Sequence, residues 1–232
     1  MKALLYKEFR LAMHPICYVF VIMFPFMVLI PSYPLAIGFI YILSCYPILF
    51  LGANKGQQSN DLLYSTLLPV RKKDIVLARI ITIAVMQAVY MLLISALIPV
   101  AKMIQANINA EAIANGGTTL NTPGIPLEGF VSILAIGTIG FSLADLIFFP
   151  IYYKHGKSIV MSTLLTILGF AVYLMLFTVA LPYIPGFEGY VAFLCGDLWK
   201  QFLLLGIAII AYLGVHFLTY RISAKRLEKV DF

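Results

Sequence analysis

Long apolar runs separated by short polar connections set the pattern of this chain. A bilayer crossing needs about 20 largely apolar residues. Six runs fit that requirement, at roughly 16–32, 35–53, 75–100, 129–151, 158–182 and 201–220. They are continuous and lack the period-two alternation of barrel strands, so they predict helices. Pro31-Ser-Tyr-Pro34 reads as a tight turn between the first two runs. Pro25 and Pro47 fall inside runs, where each is expected to kink its helix and free a carbonyl for a neighbour to satisfy. The expected fold is all-α: one polytopic transmembrane domain over 1–232 with six transmembrane helices.

The connections have patterns of their own. Residues 1–14 predict an interfacial "elbow" helix, with Leu5, Phe9, Ala12 and Met13 on one stripe and Lys7 and Arg10 facing away from it. A second, weaker apolar line runs through Leu4 and Leu11, and His14-Pro15 then breaks the helix. In the stretch Asn54–Asp74, Ser59 or Asn60 can cap a short helix over 59–68, Asp61 suits its first turn and Pro69 ends it. That helix would present Leu63 with Leu67, and Tyr64 with Leu68, at i,i+4 spacing, just ahead of Arg71-Lys72-Lys73. An apolar knob outside the membrane spans is economically explained as a docking surface for a soluble partner, the bland alternative being a helix folded back onto the membrane. Residues 101–128 predict a separate short helix, Ala101–Ala114, followed by a stretch rich in breakers. Residues 183–199 are apolar but cut by Pro185, Gly186, Gly189 and Gly196, which suggests a re-entrant or interfacial pair anchored by Trp199.

Composition strengthens the membrane reading. Of the 232 residues, 62% are hydrophobic and 11% charged, with a mean hydropathy of +0.98. A soluble globular chain is nearer half apolar and a quarter charged. The net charge of +6 does not point to nucleic acid, because the basic residues are spread over short connections rather than gathered in a patch. Fourteen of the 16 Lys and Arg fall in 1–15, 54–79, 152–157 and 221–232, while Lys102 and Lys200 alone lie in the connections of the other side. Cytoplasmic connections carry that excess, so both termini are expected in the cytoplasm and the chain in the plasma membrane. Lys2, Lys7, Glu8 and Arg10, with no small-x-small site after them, argue against a cleaved leader. Cys17, Cys45 and Cys195 are expected at different membrane depths as free thiols.

The order of elbow helix, two spans and then Asp61-Leu-Leu-Tyr-Ser-Thr-Leu-Leu-Pro-Val-Arg-Lys-Lys-Asp-Ile-Val-Leu-Ala-Arg79 resembles the permease subunits of type-2 ABC transporters. Pro150-Ile-Tyr-Tyr-Lys-His-Gly-Lys157 is similar to that family's Pro-x-x-x-Lys-x-Gly pattern after the fourth span. The resemblance covers essentially the whole chain and is nearest to the membrane subunits of Gram-positive exporters of amphipathic peptides, the phenol-soluble modulin exporters. It implies a bacterial permease that pairs with a second, identical or paralogous, permease subunit and with ABC ATPase subunits. Those ATPases, and not this chain, would bind ATP and Mg²⁺. It also implies that Asn60, Asp61, Leu62, Leu63, Tyr64, Leu67, Leu68 and Arg71 belong to a coupling helix that enters the ATPase. Tyr153, Lys154, His155, Gly156 and Lys157 would form the second cytoplasmic contact.

Other chemistry is weakly signalled. Gly156-Lys157-Ser158 imitates the end of a P-loop, yet Ile151 stands where the loop needs glycine and no strand precedes it. Gly140-Phe-Ser142-Leu-Ala144 lacks the closing glycine of a serine-hydrolase elbow, and Ser142 is expected to bond back to its own helix or to let helices approach. No HExxH pattern or dense acid–His cluster suggests a membrane enzyme, so no catalytic residue and no metal site is expected. Asp145 is the only acid well inside a span and is the candidate functional acid of the membrane interior. With no intramembrane partner evident, a structural role is the expectation for it. His216, also read as alone, is expected to be neutral and bonded to a neighbour. A secondary transporter would show paired intramembrane charges or two matching interrupted spans, neither of which the sequence displays.

Overall fold

The computed structural model describes residues 2–12, 15–29, 42, 70–115, 129–155, 159–176, 183–186, 189, 192–193 and 196–229. Among the described residues the architecture is all-helical. A short helix α1 (Lys2–Lys7) passes into a π-helical turn (Glu8–Ala12), and α2 (Pro15–Met23) passes into a 3₁₀ segment (Phe24–Leu29). Four longer helices follow: α3 (Lys72–Ala114), α4 (Phe130–His155), α5 (Ile159–Met175) and α6 (Leu198–Glu228). Three of these, α3, α4 and α6, are long and apolar enough to cross a membrane. A fourth crossing is available if Lys2–Arg10 and Pro15–Leu29, bent by 78° at their junction, count as one broken span. The expected second span, 35–53, lies outside the described residues except for Ile42, as does Pro47.

Several boundaries differ from the sequence expectation for identifiable reasons. The run at 75–100 and the separate helix at Ala101–Ala114 are one continuous helix of 43 residues that passes through Pro99. At 1.5 Å per residue it is about 64 Å long, twice the hydrocarbon thickness. Lys102, Gln105, Asn107, Asn109 and Glu111 are polar enough to end a membrane span, but Ala101, Ala106, Ala110, Ala112 and Ala114 keep the helix going in water. Pro25 does not simply kink its helix. The chain tightens from α to 3₁₀ geometry at Phe24, one residue before the proline that cannot donate to the α-helical ladder.

The N-terminal helix packs on the start of α3 through Leu4 and Glu8. Leu4 and Glu8 are buried, Leu5 and Phe9 half-buried, and Arg10 exposed. Leu4 packs on Ile75 and Ala78 at the start of α3, with Leu5 and Val70 beside them. Tyr18 donates its hydroxyl to the Phe9 carbonyl and so ties the two arms of the bend together.

The bundle is centred on α4, which packs most extensively on α6 and then on α5, while α3 lies against the 3₁₀ segment and α6. Small residues let the backbones approach: Ala144 on α4 and Ala208, Thr219, Ser223 and Ala224 on α6 are all buried. At the foot of α4 the sequence Phe-Phe-Pro-Ile-Tyr-Tyr stacks Phe148 on Tyr152 (5.8 Å) and Phe149 on Tyr153 (6.2 Å), and all four rings are buried. Gly140 marks a close approach of α5, where a Cβ would lie 2.7 Å from Phe170 Cε2 and 2.9 Å from Tyr173 Cε1. Tyr173 also donates to the Ile136 carbonyl at 2.6 Å, which pins that ring in place. Gly140→Val is therefore expected to destabilise the fold by about 1–3 kcal/mol, measurable as a lower unfolding temperature of the solubilised protein. The outward faces of α5 and α6 are apolar, with Val160, Leu164, Leu168, Ile210, Leu213 and Phe217 exposed.

Candidate functional site

Among the described residues two buried polar layers cross the bundle, separated by eight residues of α3, or about 12 Å. The first layer joins the N-terminal helix to the start of α3. Arg79 Nε donates to Glu8 Oε2 at 2.9 Å and Nη2 donates to Oε1 at 3.2 Å, a bidentate pair in which both residues are 3% exposed. Arg79 Nη1 reaches the Tyr152 hydroxyl of α4 at 3.4 Å, and Lys7 Nζ lies 3.7 Å from Glu8 Oε1. The pairing follows from matched spacing on the two helices. Leu4 and Glu8 stand one turn apart on the first, and Ile75 and Arg79 one turn apart on α3, so each helix offers an apolar contact and then a charge. Nearby, Arg226 Nη1 of α6 donates to the Pro150 carbonyl of α4 at 2.6 Å.

The second layer lies at membrane depth and joins three helices in a ring. Gln87 of α3 donates through Nε2 to Asp145 Oδ2 of α4 at 3.0 Å. Tyr212 of α6 donates its hydroxyl to Gln87 Oε1 at 2.7 Å. His216 of α6 brings Nε2 to 2.9 Å from the same Asp145 oxygen and sets Nδ1 2.9 Å from the Tyr212 carbonyl. Nε2 lies at ion-pair distance from the carboxylate and makes no hydrogen bond among the described residues. Asp145 is fully buried, and Gln87 and His216 are also buried. The carboxylate fixes the Gln87 amide, because the flipped amide would turn its carbonyl oxygen against Asp145.

These contacts correct the sequence reading. Asp145 and His216 are not lone polar groups: each is the other's partner, with Gln87 completing the link to α3. Paired ionisable groups at membrane depth, absent from the sequence reading, are therefore present. The one signal that could have joined them is depth. On two helices running in the same expected direction, Asp145 stands nine residues before Lys154 and His216 nine before Lys225. Nothing in the sequence marks Gln87, Tyr212 or the Glu8–Arg79 pair. Ser142 does bond back to its own helix, donating to the Ile139 carbonyl at 2.8 Å. Cys17 is buried and takes part in no disulfide.

The other expected site residues are less gathered. Asn60, Asp61, Leu62, Leu63, Tyr64, Leu67 and Leu68 lie outside the described residues, as do Gly156 and Lys157. Arg71 stands at the N-cap position of α3 without a side-chain capping bond and is exposed. On the last turn of α4 Tyr153 is buried, Lys154 is exposed and His155 is the final helical residue. Among the described residues no group of three or more His, Cys, Asp and Glu could hold a metal ion.

A family model described as "ABC-2 family transporter protein" matches residues 3–228. No curated protein and no solved structure matches the chain.

Proposed function

The chain belongs to the ABC-2 transporter family and is a membrane-embedded permease of an ABC transporter, and from that premise we propose that it is the permease subunit of an ATP-driven exporter. In this reading six spans cross the plasma membrane of a bacterial cell with both termini inside, residues 1–14 lie along the inner leaflet, and 183–199 form the re-entrant pair. Two such subunits, identical or paralogous, flank the substrate path, and the dimer rests on two ABC ATPases that bind ATP and Mg²⁺ for it. The cargo is an amphipathic peptide or another hydrophobic substrate, as in the phenol-soluble modulin exporters the sequence resembles.

The observation that carries the proposal is the family match from residue 3 to 228, which takes in both the segment 59–71 and the helix it feeds. α3 starts at Lys72, directly after Arg71. A push delivered by an ATPase to 59–71 would therefore reach a single unbroken helix that carries both polar layers. Rigid displacement of such an element is a common route from a ligand-driven closure to a distant rearrangement. Asp61, Leu63, Leu67 and Arg71 would dock on the ATPase, with Tyr153–Lys157 forming the second contact. The paired Asp145 and His216 favour a second reading, a proton-coupled secondary transporter. Family membership weighs against it.

Orientation is tested by cysteine accessibility in a background without Cys17, Cys45 and Cys195. Single cysteines at Asn115 and Gly189 are expected to react with a membrane-impermeant thiol reagent in intact cells. Those at Lys72 and Lys157 should react only after permeabilisation. Labelling of Lys72 from outside would reverse the orientation and remove the docking argument. The export reading itself is tested by reconstituting the chain with its ATPase in vesicles. ATP-dependent movement of a labelled amphipathic peptide is expected, and movement driven by a proton gradient without ATP would favour the second reading.

A further inference from the structure

The N-terminal helix divides its residues between two opposite faces. Leu4 and Glu8 are buried, the first against Ile75 and Ala78 and the second against Arg79 of α3. Lys2, Tyr6 and Arg10 are exposed and stand four residues apart, so they share one stripe on the side turned away from α3. Tyr6 is 58% exposed. Glu8 is the only acid between residues 2 and 12, and both of its oxygens are turned inward to Arg79. The outward stripe is therefore basic and aromatic, with no carboxylate of its own.

Tyr6 and Arg10 are arranged as a pair of donors. Arg10 Nη1 donates to the Tyr6 hydroxyl oxygen at 2.7 Å, and the guanidinium carbon lies 5.6 Å from the centre of the Tyr6 ring. Because the tyrosine oxygen accepts that bond, its own O–H can donate outward, beside the other N–H groups of the guanidinium. Such donors around a cation suit phosphate oxygens. The depth of the stripe is also defined. Leu4 and Glu8 meet α3 within its first two turns, at Ile75, Ala78 and Arg79. The arm Lys2–Arg10 is bent by 78° from the arm Pro15–Leu29. With the second arm crossing the bilayer, the first lies nearly in its plane, packed sideways on the end of α3. Its opposite face then looks sideways, away from the bundle, at the level of the headgroups.

We propose that Lys2, Tyr6 and Arg10 bind the phosphate of an anionic phospholipid headgroup and so fix the N-terminal helix to the membrane surface beside the start of α3. The inference rests on the reading of residues 1–14 as lying along the leaflet. An acidic protein surface would match the charge equally, but a face that looks sideways at this depth meets lipid first. Tyrosine and the long basic side chains are also the residues that anchor a chain at this interface. One cation near an anionic surface contributes about fivefold in affinity, so losing both should weaken the site by about tenfold or more.

The test counts bound lipid by native mass spectrometry of the solubilised full chain, titrated with phosphatidylglycerol and, as reference, phosphatidylcholine. Lys2→Gln with Arg10→Gln should weaken the tightest phosphatidylglycerol site about tenfold and leave phosphatidylcholine binding unchanged. Both residues are exposed, so the unfolding temperature should not move. Arg221→Gln with Lys225→Gln removes the same charge from exposed positions of α6 and should leave that site intact. Equal weakening by the two pairs would mean diffuse attraction to positive charge and overturn the proposal. Unchanged lipid binding in the Lys2/Arg10 variant would overturn it too, and loss of a co-purifying ATPase in that variant would make the stripe a protein contact instead. Inorganic phosphate should not displace the lipid; displacement would place a free phosphate at the site and sink the lipid assignment. A second arm tests the underlying reading. A spin label on Ala3→Cys, in a background without Cys17, Cys45 and Cys195, should report headgroup depth in bilayers by its accessibility to oxygen and to a water-soluble nickel chelate. A label in bulk water would remove the surface reading and the site with it. A label at headgroup depth with unchanged lipid affinity would overturn the site alone.

Discussion

Arg79→Ala is expected to destabilise the folded protein by about 3–5 kcal/mol, the cost of leaving a buried carboxylate without its partner. Glu8 is 3% exposed and receives two bonds from the Arg79 guanidinium, at 2.9 and 3.2 Å. Lys7, 3.7 Å away and more exposed, recovers only part of the loss. Glu8→Ala should be comparably damaging, since it strands the guanidinium between the two helices. Removing both partners separates charge from packing. Glu8→Met with Arg79→Met should be more stable than either alanine variant, because a well-packed apolar pair avoids the desolvation that the ions need to overcome. The local consequence differs from a general loss of stability. Leu4 would keep its contact with Ile75 and Ala78, but the stretch from Glu8 onward would lose its anchor to α3. Limited proteolysis should then cut near residue 8 in Arg79→Ala before the rest of the bundle unfolds. Equal protease resistance in the wild type and Arg79→Ala would mean that the pair does not hold the N-terminal helix.

How much of this was legible in the sequence depends on the range of the information. The all-helical class and the membrane setting follow from run length and composition, which are local properties, and the structure agrees with them. Helix ends were harder. Val100 looked like the end of a span because polarity begins at Lys102, yet membrane span and helix are different objects. An alanine-rich stretch continues α3 to Ala114 after its lipid-like character stops. The stripe on the N-terminal helix is a local pattern, whereas the burial of Glu8 depends on Arg79, 71 positions away. The two polar layers could not be read at all, because their bonds join residues 58, 71 and 125 positions apart. An intramembrane acid can be flagged from sequence, but its partner is fixed by which helices are neighbours. The extensive packing of α4 on α6 brings that partner within reach. The docking residues at 60–68 were argued from local cues, namely a cap, a terminating proline and i,i+4 leucines, and they lie outside the described residues.

Those leucines carry the second large expected effect. Leu63→Asp with Leu67→Asp would put two charges into an apolar protein–protein contact. Desolvating even one unpaired charge costs several kcal/mol, and about 4 kcal/mol is a thousandfold in affinity. Neither residue lies in an expected span, so the variant should insert, keep its topology and leave both polar layers intact. Leu63→Ala with Leu67→Ala should do less, since it removes contact area without burying charge. Arg71, exposed at the start of α3, offers a milder comparison: Arg71→Ala would weaken a rim contact by roughly tenfold at most, as exposed ion pairs contribute about 1 kcal/mol or less.

Co-purification of the double aspartate variant with the partner ATPase, scored together with substrate-stimulated ATP turnover, is the most direct measurement of the central claim that this chain is a permease driven through residues 59–71. The account predicts wild-type membrane insertion with loss of both the bound ATPase and the stimulated turnover. Retention of both would contradict it and leave proton-coupled transport as the stronger reading.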